Sequence, residues 1–400
     1  MSGLPTCEPG PACRGQAPDF VERARVLAPL IARASPRIER DCALPAEVLE
    51  ALHGARMFRM LLPRSCEGAE LEPVTFVQAI EEIAKADAST AWCIGQASGC
   101  TIAAAHVKPE VARAVFGESH AVMASGPTLG RAVIVEGGYR VSGTWAFASG
   151  IRHSNWLGAH CALFEADGTP LRSAEGAPLE RTMLFPKERA VVKTAWDVIG
   201  LRGTGSDTFI VDDLFVPADF SFSRISDAER REPGPLYRFT IFHIFAMAFA
   251  GVALGIARAT LDAFVALAAE KIPRAGSRPL RESPVIQSQV AIAEAQWQAG
   301  RTLLLDTIRD MWASAVAERP FTLEQKARLR LVSTYAIHQA REVVDMAYHA
   351  AGATAIFESN PFERRFRDMH TASQQLQGHF ANYELVGQCL LGIPPASKYL

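Results

Sequence analysis

Hydrophobic and polar positions follow two rhythms along this chain, and the changeovers divide it into thirds. Over Asp19–Ala34 the apolar positions Phe20, Ala24, Val26, Leu27, Leu30 and Ile31 recur at helical spacing. Pro45–Ala55 opens with Pro at a plausible first helical position and aligns Leu49, Leu52 and Ala55 on one face. Glu72–Ala86 is a further amphipathic helix, and Ser89–Ala105 is a small-residue-rich helix of the buried kind. From Ala121 to Phe215 the period shifts toward two and β-branched residues multiply. There RAVIVEGGYRVSGTWAFAS reads as two strands joined at Gly137-Gly138. NWLGAHCALFE, RTMLFPKE, AVVKTAWDVIG and DTFIVDDLFVP follow as short strands of a β-barrel or sandwich. Helical spacing then returns in Tyr237–Glu270, Ser283–Arg319, Thr322–Ala351 and Phe362–Leu391, lengths that suit a four-helix bundle.

The fold class expected is α+β, in the order helices, strands, helices. It divides into a flexible tail (1–18), an N-terminal helical domain (19–120), a middle β domain (121–232) and a C-terminal bundle (233–400). One stretch challenges a soluble reading: no charged residue occurs in the 19 positions Phe239–Ala257. That length is near the ~20 residues that span a bilayer. It contains Thr240 and His243, has no basic cluster beside it and no second copy, so a helix buried in a large core is expected instead.

Composition narrows the function classes. With 49% hydrophobic residues the chain is not disordered, and a net charge of −2 argues against binding driven by nucleic-acid phosphates. The eight cysteines contain no CxxC pair, so a metal site is not expected. The first residues lack the basic and apolar regions of a secretory signal, which makes a reducing cytoplasm with free thiols the expectation. Cys7 and Cys13 fall in the Pro/Gly-rich tail.

Three groups of motifs, in order along the chain, bring in a family. DASTAWCIG (Asp87–Gly95) closes the first helical segment. GYRVSGTWAFASGIRHSNW (Gly138–Trp156) and WDVIGLRGTGSDTFIVDDLFVP (Trp196–Pro217) mark the β segment. AGATAIFESNPFERRFRDMHTASQQLQ (Ala351–Gln377) and YELVGQCLLG belong to the last. Together they resemble the acyl-CoA dehydrogenase superfamily over about Phe20–Gly392. FASG at Phe147–Gly150 resembles the branch of two-component flavin-dependent monooxygenases (group D hydroxylase-like), since the dehydrogenases usually carry a Thr-Asn-type pair where this chain has Ala148-Ser149.

The resemblance implies a chemistry. Members of that branch take reduced flavin (FMNH2 or FADH2) from a separate NAD(P)H:flavin reductase. They react it with O2 through a C4a-hydroperoxyflavin and oxygenate a small aromatic or heteroaromatic substrate. It also implies a homotetramer, with neither nucleic acid nor membrane as partner. A dehydrogenase would need a carboxylate base, and one common arrangement puts it eight residues after Asp368, where this chain has Leu376. The remaining alternatives are a dehydrogenase-like FAD oxidoreductase with its carboxylate elsewhere, or a non-catalytic flavin-binding relative.

Site residues follow the same motifs. The resemblance sets Ser149 beside flavin N5, against a plain reading as a serine capping its own backbone. Trp145 and Phe147, alternating on one strand, would wall the ring or serve as sheet core. His153 would approach substrate or satisfy a loop. The resemblance makes Ser125, in MASGPT, a candidate cofactor contact. Where the branch has a histidine seven residues after Asp368 this chain has Gln375, which cannot shuttle a proton at neutral pH. On a continuous helix His379 would share its face and substitute for it, ahead of His370. Arg274, Arg278 and Arg281 are the candidates for the flavin phosphate, of which Arg274 and Arg278 are carried forward. Gly203 to Asp207 is read as a turn. Arg367 and Asp368 are read as a structural, cofactor-adjacent pair.

Overall fold

The computed structural model describes residues 19–173, 176–274 and 276–395. The expected flexible tail, with Cys7 and Cys13, lies outside the described residues. Among the described residues six cysteines are all free thiols, five of them buried.

Five helices come first: α1 (Phe20–Asp41), α2 (Ala46–Gly54), α3 (Pro73–Ala86), α4 (Ala88–Thr101) and α5 (Pro109–Phe116). The α1 helix runs past Ala34, the expected end, and carries Pro29 and Pro36 within it. Asp87 caps α4 by accepting the Thr90 N–H at 2.7 Å, and Ser35 of α1 donates to its other oxygen at 2.6 Å. One carboxylate thus starts α4 and ties it to α1.

Seven strands follow: β1 (Met123–Val135), β2 (Gly138–Trp145), β3 (Trp156–Phe164), β4 (Glu180–Pro186), β5 (Val191–Lys193), β6 (Thr208–Pro217) and β7 (Ser221–Phe222). They form one sheet in the order β5-β6-β2-β1-β3-β4-β7. The β1–β2 hairpin pairs Val135 with Gly138, so the turn is Glu136-Gly137, with Gly137 at φ 76°. The β1–β3 pair is parallel. The sheet curls over its own core, because Phe185 of β4 meets Phe209 of β6 edge to face at 6.3 Å across three intervening strands.

Trp145 fills that core, fully buried and stacked on Phe209 at 5.0 Å, with its N–H donating to the His160 carbonyl. A Cβ at Gly126 would lie 2.8 Å from the Trp145 Cβ, and a Cβ at Gly130 or Gly143 would lie 2.1 or 2.8 Å from its ring. These glycines make room for Trp145.

The last third holds α6 (Ile241–Glu270), α7 (Pro284–Val316), α8 (Leu323–Ala351), α9 (Pro361–Ala372) and α10 (Ala381–Leu390). The uncharged stretch lies in α6, and its most apolar window is 89% buried within the protein, against α3, α4 and α8. Close approach is built in: a Cβ at Gly255 would lie 2.5 Å from the Glu81 carbonyl on α3. Three of the four expected bundle segments are continuous helices. The fourth, expected over Phe362–Leu391, breaks between α9 and α10. Gln375 is extended there (φ −72°, ψ 154°) and its Oε1 accepts the Gln377 N–H at 2.6 Å. The freed carbonyls of Gln377 and Gly378 are taken by Thr334 and His338 of α8.

Candidate active site

A cavity of about 440 Å³ opens where the helices meet the sheet. The α4 helix contributes Trp92 and Gln96, and α6 contributes Phe242, Phe245 and Phe249. Ser125 and Gly126 come from β1, Phe147 and Ser149 from the loop after β2, and Trp196 to Ser206 from the loop before β6. Arg224 follows β7, and Thr371 to Gln377 close the far side. The walls are aromatic: Trp92 stacks on Phe249 at 4.0 Å, and Phe147 meets Trp196 edge-on at 5.9 Å. The polar atoms are hydroxyls, amides and one guanidinium. None of these lining residues carries a carboxylate.

The FASG loop is shaped by its backbone. Phe147 sits at φ 58° and Gly150 at φ 79°, so the chain reverses twice as it leaves β2. The strand's alternation ends at Trp145. Phe147 therefore does not join Trp145 in the core but stands 61% exposed at the cavity wall. The loop is pinned by Ala148 N–H to the Asp207 carbonyl at 3.1 Å and Gly150 N–H to the Thr204 carbonyl at 2.9 Å.

Two buried carboxylates hold the neighbouring loops from outside the cavity. Asp207 accepts Arg152 and the N–H groups of Ala195 and Trp196. Burial pushes its pKa up, yet Arg152 and these N–H groups outweigh that and hold it below the usual value. Asp368 of α9 accepts the Leu201 N–H at 2.6 Å. Burial drives its pKa up to about 7, against the Leu201 hydrogen bond and with help from Asp87. Its neighbour Arg367 turns to Glu39, Glu363 and the Ile199 carbonyl. The pair is thus a joint between α9, α1 and the loop before β6.

Ser149 is 8% exposed, and its Oγ accepts the Trp92 indole N–H at 3.2 Å. It also lies 2.7 Å from Ser206 Oγ, which lies 2.7 Å from Thr204 Oγ1. Ser125 Oγ accepts from Arg224 at 3.0 Å, and Arg224 also donates to Thr182 at 2.7 Å. Thr371 lines the cavity with a buried hydroxyl that has no hydrogen-bond partner in the structure.

Of the residues expected from sequence, Ser149, Ser125, Phe147 and Gln375 meet at this cavity. Six do not line it. Trp145 is sheet core, as described. His153 packs against Phe58 at 5.7 Å, and burial lowers its pKa to about 3, with His53 and Lys187 adding to the effect. It is a neutral ring under the loop. His379 is exposed and accepts the Ala381 N–H, because the broken helix removes the face it was to share with Gln375. His370 bonds Asp345 at 2.8 Å, also away from the lining. Arg274 and Arg278 are exposed on the α6–α7 connection, where Arg278 faces Glu282 at 3.9 Å. Within one chain neither reaches the cavity.

Sequence reading missed Gln96, Arg224, Thr371 and the three α6 phenylalanines, and took Thr204 and Ser206 for turn residues. Leu376 does line the cavity, so the position where a dehydrogenase base was sought faces the site and carries no base.

The family models for "Acyl-CoA dehydrogenase, N-terminal domain" and "Acyl-CoA dehydrogenase, C-terminal domain" match residues 12–114 and 247–379. The chain belongs to the acyl-CoA dehydrogenase family. Within it, the chain is 28% identical over 364 residues to indole-3-acetate monooxygenase of Pseudomonas putida, covering 90% of this chain and 91% of that protein. It is 27% identical to the flavin-dependent monooxygenase oxygenase subunit HsaA of Rhodococcus jostii, covering 94% and 98%. The crystal structure of the 3-HSA hydroxylase of Rhodococcus sp. RHA1 superposes with a TM-score of 0.88 at 26% identity, covering 96% and 99%. That of XiaF from Streptomyces sp., in complex with FADH2 and glycerol, gives 0.87 at 25%, covering 94% and 96%.

Proposed function

We propose that this protein is the oxygenase component of a two-component flavin-dependent monooxygenase. It takes reduced FMN or FAD from a separate NAD(P)H:flavin reductase and uses O2 to oxygenate a small aromatic or heteroaromatic substrate. The observation that carries this reading is an aromatic-walled cavity with Ser149 on its rim and no carboxylate in its lining. Removal of a substrate α-proton needs a base, and these residues offer none. Named flavin-dependent relatives and the FADH2-bound structural neighbour XiaF support the flavin.

The cavity suits a flavin ring on its own terms. Trp92, Phe249 and Trp196 offer flat apolar surfaces to a planar heterocycle, while Ser149, Ser125, Gln96 and Gln374 can meet its polar edge. The unpartnered Thr371 hydroxyl is a further contact awaiting a ligand. Bound reduced flavin supplies the electrons that activate O2. The chain's own part is positional. Ser149 holds the ring edge near N5, Phe147 and Leu376 shield it from water, and Gln375 hydrogen-bonds substrate without moving a proton. Arg224 complements the negative charge of reduced flavin or of an acidic substrate. We further place the protein in the cytoplasm as a homotetramer. Exposed Val285, Ile292 and Val316 on α7 support burial of that helix between copies.

Rapid mixing of the protein and anaerobically reduced FMN or FAD with O2 tests the reading. A transient absorbance distinct from reduced and oxidised flavin is expected, and direct decay to oxidised flavin with both cofactors would sink it.

A further inference from the structure

Four groups run inward from the cavity rim in single file. Trp92 Nε1 lies 3.2 Å from Ser149 Oγ, Ser149 Oγ 2.7 Å from Ser206 Oγ, Ser206 Oγ 2.7 Å from Thr204 Oγ1, and Thr204 Oγ1 2.8 Å from the Leu201 carbonyl. Exposure falls along the three hydroxyls, from 8% at Ser149 to 4% at Ser206 and 2% at Thr204. The two ends of this file determine every proton between them. The indole N–H only donates and the carbonyl only accepts. Only Thr204 can supply a proton to the 2.8 Å contact with Leu201. Having spent its proton there, Thr204 must accept from Ser206, and Ser206 must then accept from Ser149. The opposite order would set the lone pairs of Thr204 and Leu201 against each other. The Leu201 carbonyl is itself fixed, by Trp196 Nε1 at 3.0 Å and by its own N–H on Asp368.

We propose that Thr204 and Ser206 are positioning residues that turn the Ser149 proton away from the cavity, so that Ser149 presents a lone pair and selects the flavin whose N5 bears a hydrogen. This rests on the reading that Ser149 faces flavin N5. Reduced flavin carries N5–H, a donor that this lone pair accepts. Oxidised flavin has a bare N5, which meets the same lone pair as a repulsive contact. The hydroxyl file thereby favours reduced cofactor on arrival and expels the spent, oxidised form through neutral groups alone. Thr204 never touches Ser149; it acts two oxygens away.

The test measures dissociation constants for oxidised FMN and FAD, and for the same flavins reduced under anaerobic conditions, by fluorescence or calorimetry without turnover. In Thr204→Val the Ser206 proton turns to Ser149, and the Ser149 proton turns to the cavity. In Ser206→Ala the Ser149 proton loses its acceptor and does the same. Ser206→Ala lets Ser149 donate to oxidised N5 while still accepting from N5–H, whereas in Thr204→Val the Ser206 proton takes the lone pair that N5–H would use, so Ser149 only donates. Oxidised flavin is expected to bind about fivefold tighter in both, the worth of one net hydrogen bond, with reduced flavin nearly unchanged in Ser206→Ala and weaker in Thr204→Val. Thr204→Ser keeps the file and should restore the wild-type ratio. Ser149→Ala removes both interactions and should also erase the discrimination. If Ser149→Ala shifts the ratio and neither Thr204→Val nor Ser206→Ala does, the positioning role is overturned and the Ser149 assignment stands. If Ser149→Ala leaves the ratio unchanged, the assignment itself fails. A parallel loss of affinity for both redox states in the relay variants marks a merely structural effect and overturns the proposal.

Discussion

Asp368→Asn isolates one buried proton. Asp368 is 5% exposed, its Oδ1 accepts the Leu201 N–H, and burial raises its pKa from 3.8 to about 7. A raised folded pKa means that the native state holds a proton which the unfolded chain has already released. Stability from this group is therefore full below about pH 4 and is lost as pH climbs to about 7. At about 1.4 kcal/mol for each pH unit, the shift from 3.8 to about 7 sets a ceiling of about 4 kcal/mol. Asparagine keeps the shape and an oxygen for Leu201 but does not titrate. Urea unfolding of both proteins from pH 4.5 to 8 reads the difference, since every other titrating group is common to the two. The wild type is expected to lose stability relative to the variant across this window, by as much as about 3 kcal/mol. Parallel curves would show that Asp368 ionises in the fold as freely as in the unfolded chain, and would refute the argument from burial.

Trp145→Phe should cost about 1–3 kcal/mol in thermal or urea unfolding, because it removes the indole donor to the His160 carbonyl and leaves a gap beside Gly130 and Gly143. Flavin affinity should stay within twofold of wild type, and a large loss would return Trp145 to the cofactor wall. Gly99→Ala places a Cβ 2.2 Å from the Phe245 ring, a cavity-lining side chain. The ring must shift, so stability should fall by about 1–3 kcal/mol and fluorescence titration should show weaker flavin binding. Arg224→Met should weaken binding of phenylacetate about tenfold relative to neutral phenylacetamide, as expected for losing a charged hydrogen bond. Equal effects on the two probes would mean that Arg224 only braces Ser125 and Thr182.

The order of helices, strands and helices was legible because the hydrophobic period changes twice, near Ala121 and again near Tyr237. Ser149 was legible through FASG. Other site residues were hidden for local reasons. Trp145 and Phe147 look equivalent two residues apart, but the strand ends at Trp145 and the left-handed backbone at Phe147 turns the second ring out. His379 looked equivalent to Gln375 only on a continuous helix, and the helix stops at Ala372. Phe242, Phe245 and Phe249 belong to a segment apolar on every face, where no polar stripe marks the side that borders a cavity. Arg224 follows a two-residue strand, outside any periodic pattern, and only the fold brings it to Ser125.

The distribution of charge around the site has a physical logic. Four loops and termini converge on the cavity, and loops carry backbone groups that need partners. Asp207 and Asp368 satisfy those of Ala195, Trp196 and Leu201 while Arg152 and Arg367 brace the same loops. The ionisable groups that build the site therefore do not line it, and the lining retains a single guanidinium among hydroxyls and amides. A cavity so arranged favours an anionic aromatic guest, since a carboxylate in the same dry space would repel it strongly at short range. It also leaves discrimination to the direction of hydroxyl protons. That direction is set by neutral groups from Trp92 to the Leu201 carbonyl, with no member titrating near neutral pH. Charge admits the guest, and the hydroxyl file decides which redox form of it stays.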